Sequence, residues 1–292
     1  MSEVSIPTSI QQAREGFLTL VAELRPDLHR YCSRLVGSVI DGEDIVQETL
    51  AKAFYTFGLY QDPPPLRPWL FRVARNAAFD FLRRYEHRFV ERPGDLDRLA
   101  SYEEVDPLLV RSSLRQFLQL PPSQRSAVIL KDVLDYPLDE IAEMMETSVS
   151  AVKSLLVRGR ASLKTLAEGA VEKTLDAQER ERLSQYVSLF NAKNWDSLRA
   201  LITEECRLDL VAKTARRGKE IHGYFARYQA EPNTWLALGA VEGRPALLVF
   251  TQREQPRPSY FILLSWGEDA LALIRDFRYV PYITQDAEIE VL

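Results

Sequence analysis

The chain has 292 residues, a formal charge of −5 and 46% apolar residues, a length that suits roughly two or three small domains with a core each. Its two cysteines, Cys32 and Cys206, lie far apart in the sequence, which excludes a disulfide framework or a cysteine metal cluster and calls for no metal or cofactor. No apolar run reaches the length of a membrane span, and the opening MSEVSIPTSI has neither the charged nor the apolar block of a secretory leader, so a cytoplasmic chain without membrane contact is expected.

After a polar lead, Phe17, Leu20, Val21, Leu24, Leu28, Tyr31 and Leu35 recur at helical spacing. Pro26 should kink or restart that helix, and Gly37 should stop it. Residues 41–50, DGEDIVQETL, hold four acids and no base, gathered where a helix dipole favours negative charge. Ile45, Leu50, Ala53, Phe54 and Phe57 should turn inward from this helix. Taken alone it is an ordinary capped surface helix.

Beyond Pro63-Pro64-Pro65 the charge reverses. Residues 67–92 carry seven arginines (67, 72, 75, 83, 84, 88 and 92) against Asp80, Glu86 and Glu91, with six aromatic residues interleaved. Such a helix can hold a phosphate backbone by charge and accept an unstacked base on a ring. Trp69, Val73, Ala77 and Phe81, however, recur every four residues and read as a core face. Residues 93–107, PGDLDRLASYEEVDP, have the turn-rich, acidic composition of a flexible connector.

The stretch 120–166 is predicted to hold three helices. The first runs from about Ser123 to Asp132 behind Pro121 and Pro122. The second, about Leu138 to Met145, has Leu138, Ile141, Ala142 and Met145 on one face. The third starts near Val149, capped by Thr147 or Ser148, and from 148 to 166 it carries Lys153, Arg158, Arg160 and Lys164 with no acid. Two short helices and a turn presenting a one-signed cationic helix read as a helix-turn-helix.

Residues 176–292 change character, with 17 acids, 15 bases and no basic stripe. A helix at about 177–192, the segment NWDSLRAL at 194–201, a strand at about 206–212 and a helix at about 218–229 precede four β-rich runs (234–241, 244–252, 258–266 and 270–279). Glu242-Gly243 and Gly267-Glu268 mark hairpin turns. An α+β unit with a curved antiparallel sheet is expected.

Three of these segments, in this order, resemble the extracytoplasmic-function (ECF) sigma factors of the sigma-70 family. The 41–49 segment is similar to the region 2 helix that grips the clamp helices of the polymerase beta-prime subunit, which implies contacts at Asp44, Ile45, Gln47 and Glu48. The 68–80 segment is similar to the one that opens and reads the −10 element, implying DNA contacts at Arg72, Arg75, Asn76, Asp80, Arg83 and Arg84. Pro121 to Arg125, Asp139 to Ala142 and Val152 to Ser154 resemble region 4, which meets the −35 element and the polymerase beta flap; this implies contacts at Ser148, Ser150, Lys153, Ser154, Arg158 and Arg160. Leu155 stands where that family commonly has an arginine. The resemblance implies a domain order of region 2 (1–92), linker (93–107), region 4 (108–166), joint (167–175) and a last domain (176–292).

The last domain resembles the SnoaL-like branch of the nuclear transport factor 2 (NTF2) fold. The implied fold class is multidomain: two all-α sigma domains followed by an α+β cone. A regulatory rather than enzymatic role is expected, acting through contact with the sigma regions or through a small-molecule ligand, with Asp209, His222, Trp235 and Tyr260 as candidate pocket residues. The competing readings are a one-component ligand-sensing regulator, which needs neither the acidic nor the aromatic-basic helix, and an isomerase or cyclase fused to a DNA-binding module, which needs an acid/base set inside the cone.

Overall fold

The computed structural model describes residues 8–57, 64–86, 114–165, 177–252, 254–267 and 270–292. The chain divides into two compact units, Met1–Glu168 and Gly169–Leu292. The connector at 93–107 and the joint at 167–175 lie outside the described residues.

The first unit opens with α1 (Thr8–Val36), which runs through Pro26 without a break. An interior proline removes one hydrogen bond and costs about 3 kcal/mol, but Leu24, Leu28, Tyr31 and Leu35 bury a continuous stripe on both sides of it. Gly37 ends the helix in the left-handed region, at φ 76°. Its N–H and that of Ser38 bond the Ser33 carbonyl at 2.7 and 3.1 Å, and a β-carbon here would collide with Leu118. Ser38 then accepts the Asp41 N–H at 3.2 Å, so α2 (Val39–Phe57) starts ahead of the acids rather than at them. The third helix, α3, spans Leu66–Glu86.

After the short α4 (Leu114–Phe117), α5 (Pro122–Val128) continues into a π-helical turn, Ile129–Val133. The wider turn sets Asp132 inside, where it is buried. Then come α6 (Leu138–Met145) and α7 (Val149–Thr165), joined by a tight turn. Ser148 caps α7 by accepting the Ala151 N–H at 3.2 Å. Gly159 lets α7 cross α5 closely, since a β-carbon there would lie 2.7 Å from Val128.

The two helical groups of this unit share one core. Leu28, Tyr31, Leu70 and Phe71 from the first group are continuous with Phe117, Val128, Ile141 and Val152 from the second. The Phe71 ring packs edge-on against Tyr136 and tilted against Tyr31, with centroids 5.2 and 5.3 Å away. Buried Arg125 donates to three carbonyls, that of Leu35 on α1 and those of Leu118 and Leu120, the last two at 2.9 Å.

In the second unit α8 (Ala177–Asn191) and α9 (Trp195–Ala200) precede a seven-stranded mixed sheet of order β2-β1-β6-β5-β4-β3-β7. Its strands are β1 (Ile202–Leu210), β2 (Thr214–Arg217), β3 (Trp235–Val241), β4 (Arg244–Phe250), β5 (Tyr260–Trp266), β6 (Leu271–Asp276) and β7 (Ile289–Val291). A 3-10 turn (Gly218–Gly223) leads into α10 (Tyr224–Gln229), and α11 (Ile283–Asp286) precedes β7. Among the described residues, only β1 and β6 pair in parallel. Glu242 and Gly243 both have positive φ, 54° and 72°, the two-residue turn that suits the twist of the β3–β4 hairpin. One face of the sheet closes over α8 and α10 with Tyr186, Phe190, Phe225, Leu236 and Ile262 inside. The α+β layout is as expected, with the parallel β1–β6 pair correcting the wholly antiparallel sheet. The segment at 194–201 resolves as α9, capped by Asn194, whose side chain accepts the Ser197 N–H at 3.2 Å.

Candidate functional site

The acidic helix α2 presents Asp44 to solvent, with Gln47 and Glu48 half-exposed beside it. Glu48 accepts from Lys52 at 2.6 Å. Phe54 and Tyr55 are exposed on the same helix, which corrects the inward orientation expected of Phe54. Ile45 turns inward as expected, 2% exposed and part of the core, because it lies one residue from Asp44 and so turns about 100° away from it; the polymerase contact implied for it is the part that burial does not favour. Glu43 is buried in an ion pair with Arg25 of α1, so only part of the acidic run faces outward.

On α3, Trp69 and Ala77 are buried, Val73 and Phe81 pack against the core, and Asn76, Asp80, Arg83 and Arg84 are exposed. Asp80 pairs with Arg83. Arg72 and Arg75 are less accessible, and both reach Glu146, at 3.2 and 3.6 Å, just beyond the end of α6. Arg67 meets Glu140 at 3.8 Å. Arg88, Phe89 and Arg92 lie outside the described residues.

The solvent side of α7 carries Ser148, Ser150, Lys153 and Ser154. The Ser148 oxygen is engaged by its cap, and Ser154 donates to the Ser150 carbonyl at 3.1 Å. Arg158 is half-buried, with its Nε enclosed. Arg160 is a correction: its guanidinium forks onto buried Asp132 at 2.9 and 2.6 Å, a bidentate pairing that ties α7 to the π turn and leaves the side chain committed to the interior. Lys153 is therefore the exposed cation best placed near the helix start.

Of the candidate pocket residues of the second unit, the three whose side chains are described, Asp209, Trp235 and Tyr260, are not brought together. Side chains alternate along a strand, and Leu208 and Leu210 enter the core, so Asp209 between them faces the other way and pairs with Arg275 at 3.1 Å. Trp235 likewise faces away from buried Leu236 and stacks on Phe250 with centroids 4.3 Å apart. The side chain of His222 lies outside the described residues. Tyr260 is inside, in a polar cluster that residue spacing did not reveal.

That cluster centres on Asp276, fully buried at the end of β6. The hydroxyls of Tyr224 and Tyr228 donate to its Oδ2 at 2.8 and 2.9 Å, and the Arg278 backbone N–H donates to Oδ1 at 2.8 Å. The Arg278 side chain donates to the Tyr260 hydroxyl and lies over the Tyr228 ring. Burial raises the Asp276 carboxyl above its ordinary range against the pull of Arg278 and the tyrosines, and burial pushes Tyr260 up to about 12. Tyr224 and Tyr228, four residues apart, are a signal the sequence holds; the acid they meet, 52 and 48 residues further on, is not.

Two protein families match the first unit. The family described as Sigma-70 region 2 matches residues 20–88, and that described as Sigma-70, region 4 matches residues 114–163. The chain is 31% identical to the ECF RNA polymerase sigma factor SigG of Mycobacterium tuberculosis over 225 residues, which cover 66% of this chain and 61% of that protein. It is 30% identical to the RNA polymerase sigma factor CarQ of Myxococcus xanthus over 165 residues, 53% of this chain and 90% of CarQ. The chain belongs to the ECF sigma factors of the sigma-70 family. This sigma factor thus spans 61% of the length of SigG. Among solved structures, the Mycobacterium tuberculosis ECF sigma factor SigJ aligns with 89% of the chain at 21% identity, with a TM-score of 0.36, too low to bear on the assignment. In this sigma factor the region 2 match falls on α1 to α3 and the region 4 match on α4 to α7. No helix among the described residues is long and apolar enough to cross a membrane.

Proposed function

We propose that this chain is a promoter-selecting subunit of RNA polymerase in the cytoplasm, without catalytic chemistry of its own. The observation that carries the reading is the presence, on one folded unit, of an outward acidic face on α2 and two separate cationic helices, α3 and α7. Asp44, Gln47 and Glu48 dock on the beta-prime clamp helices; Asn76, Arg83 and Arg84, with Arg72 and Arg75 when released from Glu146, hold the −10 element; and the start of α7 enters the −35 major groove through Ser150 and Ser154, with Lys153 and Arg158 on the flanking phosphates. The beta flap meets region 4. Transcription from genomic promoter fragments with purified core polymerase tests this: promoter-specific transcripts that depend on the chain support it, and their absence overturns it.

Replacing Lys153 and Arg158 together by alanine should weaken every promoter by a similar factor and lower the slope of log affinity against log salt by about two, since each phosphate contact contributes close to one. An unchanged slope in a filter-binding titration would remove α7 from the interface.

The second unit acts as a regulatory domain. Asp209 faces away from the interior, and the acid buried there, Asp276, is held by Tyr224, Tyr228 and the Arg278 N–H, an arrangement that supports regulation over catalysis. A chain ending at Thr174 should change promoter activity severalfold while the melting of the first unit shifts little; the short joint keeps the second unit at high effective concentration near its target. Equal activity of the shortened and full chains on every promoter would assign this unit another role.

A further inference from the structure

The contact between α3 and α6 within the first unit brings unlike partners together. Arg72 and Arg75, two arginines of the cationic helix, converge on Glu146, while Arg67, at the start of the same helix, meets Glu140 and lies over the ring of Tyr136 at 5.7 Å. The Tyr136 hydroxyl in turn donates to Asp27 of α1 at 3.2 Å. The two acids thus sit at either end of the contact, each against a guanidinium of α3.

The backbone at Glu146 points the same way. The residue closes α6 in the left-handed region, with φ 55° and ψ 48°, and the following N–H, of Thr147, returns to the Ala142 carbonyl at 2.9 Å. Glycine adopts this conformation freely and glutamate does not. A costly residue at a turn, whose carboxylate reaches two arginines of another helix, marks a role beyond the turn.

We propose that Glu146, with Glu140, is an internal surrogate for DNA phosphate: in the closed form of the first unit the acids of the helix-turn-helix occupy Arg67, Arg72 and Arg75, and promoter DNA must displace them to reach α3. The proposal rests on the sigma-factor reading above. The apolar contact of Phe71 with Tyr136 holds the two helical groups together, and the half-exposed ion pairs, individually weak, set how readily a polyanion opens them. Such a latch suppresses DNA binding by the free subunit and yields once polymerase contributes its own contacts.

The experiment uses the full-length protein without polymerase and a fluorescein-labelled single-stranded DNA of mixed sequence, read by anisotropy at low salt. Glu146→Gly removes the carboxylate while favouring the backbone of the turn, so misfolding does not obscure the result. It should raise affinity about fivefold, the scale of one exposed charge pair, with no loss in melting temperature. Glu143→Gln, which deletes the same charge one turn earlier on α6, should raise it less than about twofold. Repeated in an Arg72→Ala/Arg75→Ala background, Glu146→Gly should have no effect. Unchanged affinity in Glu146→Gly, an equal gain in Glu143→Gln, or a gain that persists without the two arginines would each overturn the surrogate. Transcription with core polymerase separates the two readings. A responsive latch in a chain that supports no promoter-specific transcript would overturn the polymerase role alone; an unresponsive latch in a chain that does would overturn the surrogate alone.

Discussion

Reversing Asp44 and Glu48 to lysine is expected to abolish association with core RNA polymerase while leaving the first unit folded. Asp44 is exposed and Glu48 half-exposed on α2, and surface substitutions of this kind shift stability by about 0.5 kcal/mol or less. The double reversal removes the Glu48–Lys52 pair at 2.6 Å, an exposed contact four residues apart of roughly 0.3–0.5 kcal/mol. Binding responds far more strongly. Two carboxylates become two ammonium groups against whatever cations face them, and like-charge juxtaposition at an interface costs several kcal/mol. At about 1.4 kcal/mol per tenfold, the loss should exceed about a hundredfold. A pull-down with core polymerase, beside a thermal melt of the same variant, checks both halves. Retention of the variant at wild-type levels would remove α2 from the polymerase contact. Glu43→Lys is an instructive contrast: its target is buried against Arg25, so that variant should lose the fold as well as the polymerase.

Arg125→Met should cost the first unit a large part of its stability while leaving it folded. The side chain is 5% exposed and donates to the Leu35, Leu118 and Leu120 carbonyls. Methionine fills a similar volume but leaves three inward carbonyls without their donor, and breaking such a buried charged contact costs about 3–5 kcal/mol. For a unit of this size each kcal/mol moves the melting temperature by about 2–4 °C, so a fall of roughly 10 °C is expected by calorimetry. Arg125→Lys should fall in between, since a single ammonium cannot reproduce the planar fork. Ser126→Ala next to it loses only a hydrogen bond with Tyr31 and should cost about 1 kcal/mol. A loss under about 1 kcal/mol for Arg125→Met would show that the carbonyls find other donors and that this residue does not join the two helical groups.

The helix-turn-helix was the most legible part of the chain. Proline before α5, the apolar face of α6 and a serine cap on α7 are local devices, and local devices act through neighbours three or four residues away; the expected bounds of α6, Leu138 to Met145, coincide with the observed ones. The hairpin at Glu242-Gly243 was legible for the same reason. The short strands β2 and β7 were not, because four and three residues carry too little alternation to announce a strand, and each exists by pairing with an edge laid down elsewhere.

What the sequence determined by itself was the order of elements and the sign of charge along them: an acidic helix, a cationic aromatic helix, a cationic recognition helix and a neutral α+β unit. Tertiary structure alone decided which of those charges are available. Arg160 is consumed by Asp132, 28 residues away, Arg72 and Arg75 by Glu146, more than 70 residues away, and Asp209 is turned outward by the parity of its strand. The physical reason is that a charge's partner and its burial depend on groups brought together by long-range packing, which helical or strand periodicity cannot encode; periodicity reports which face a residue occupies, and only the fold reports what that face meets.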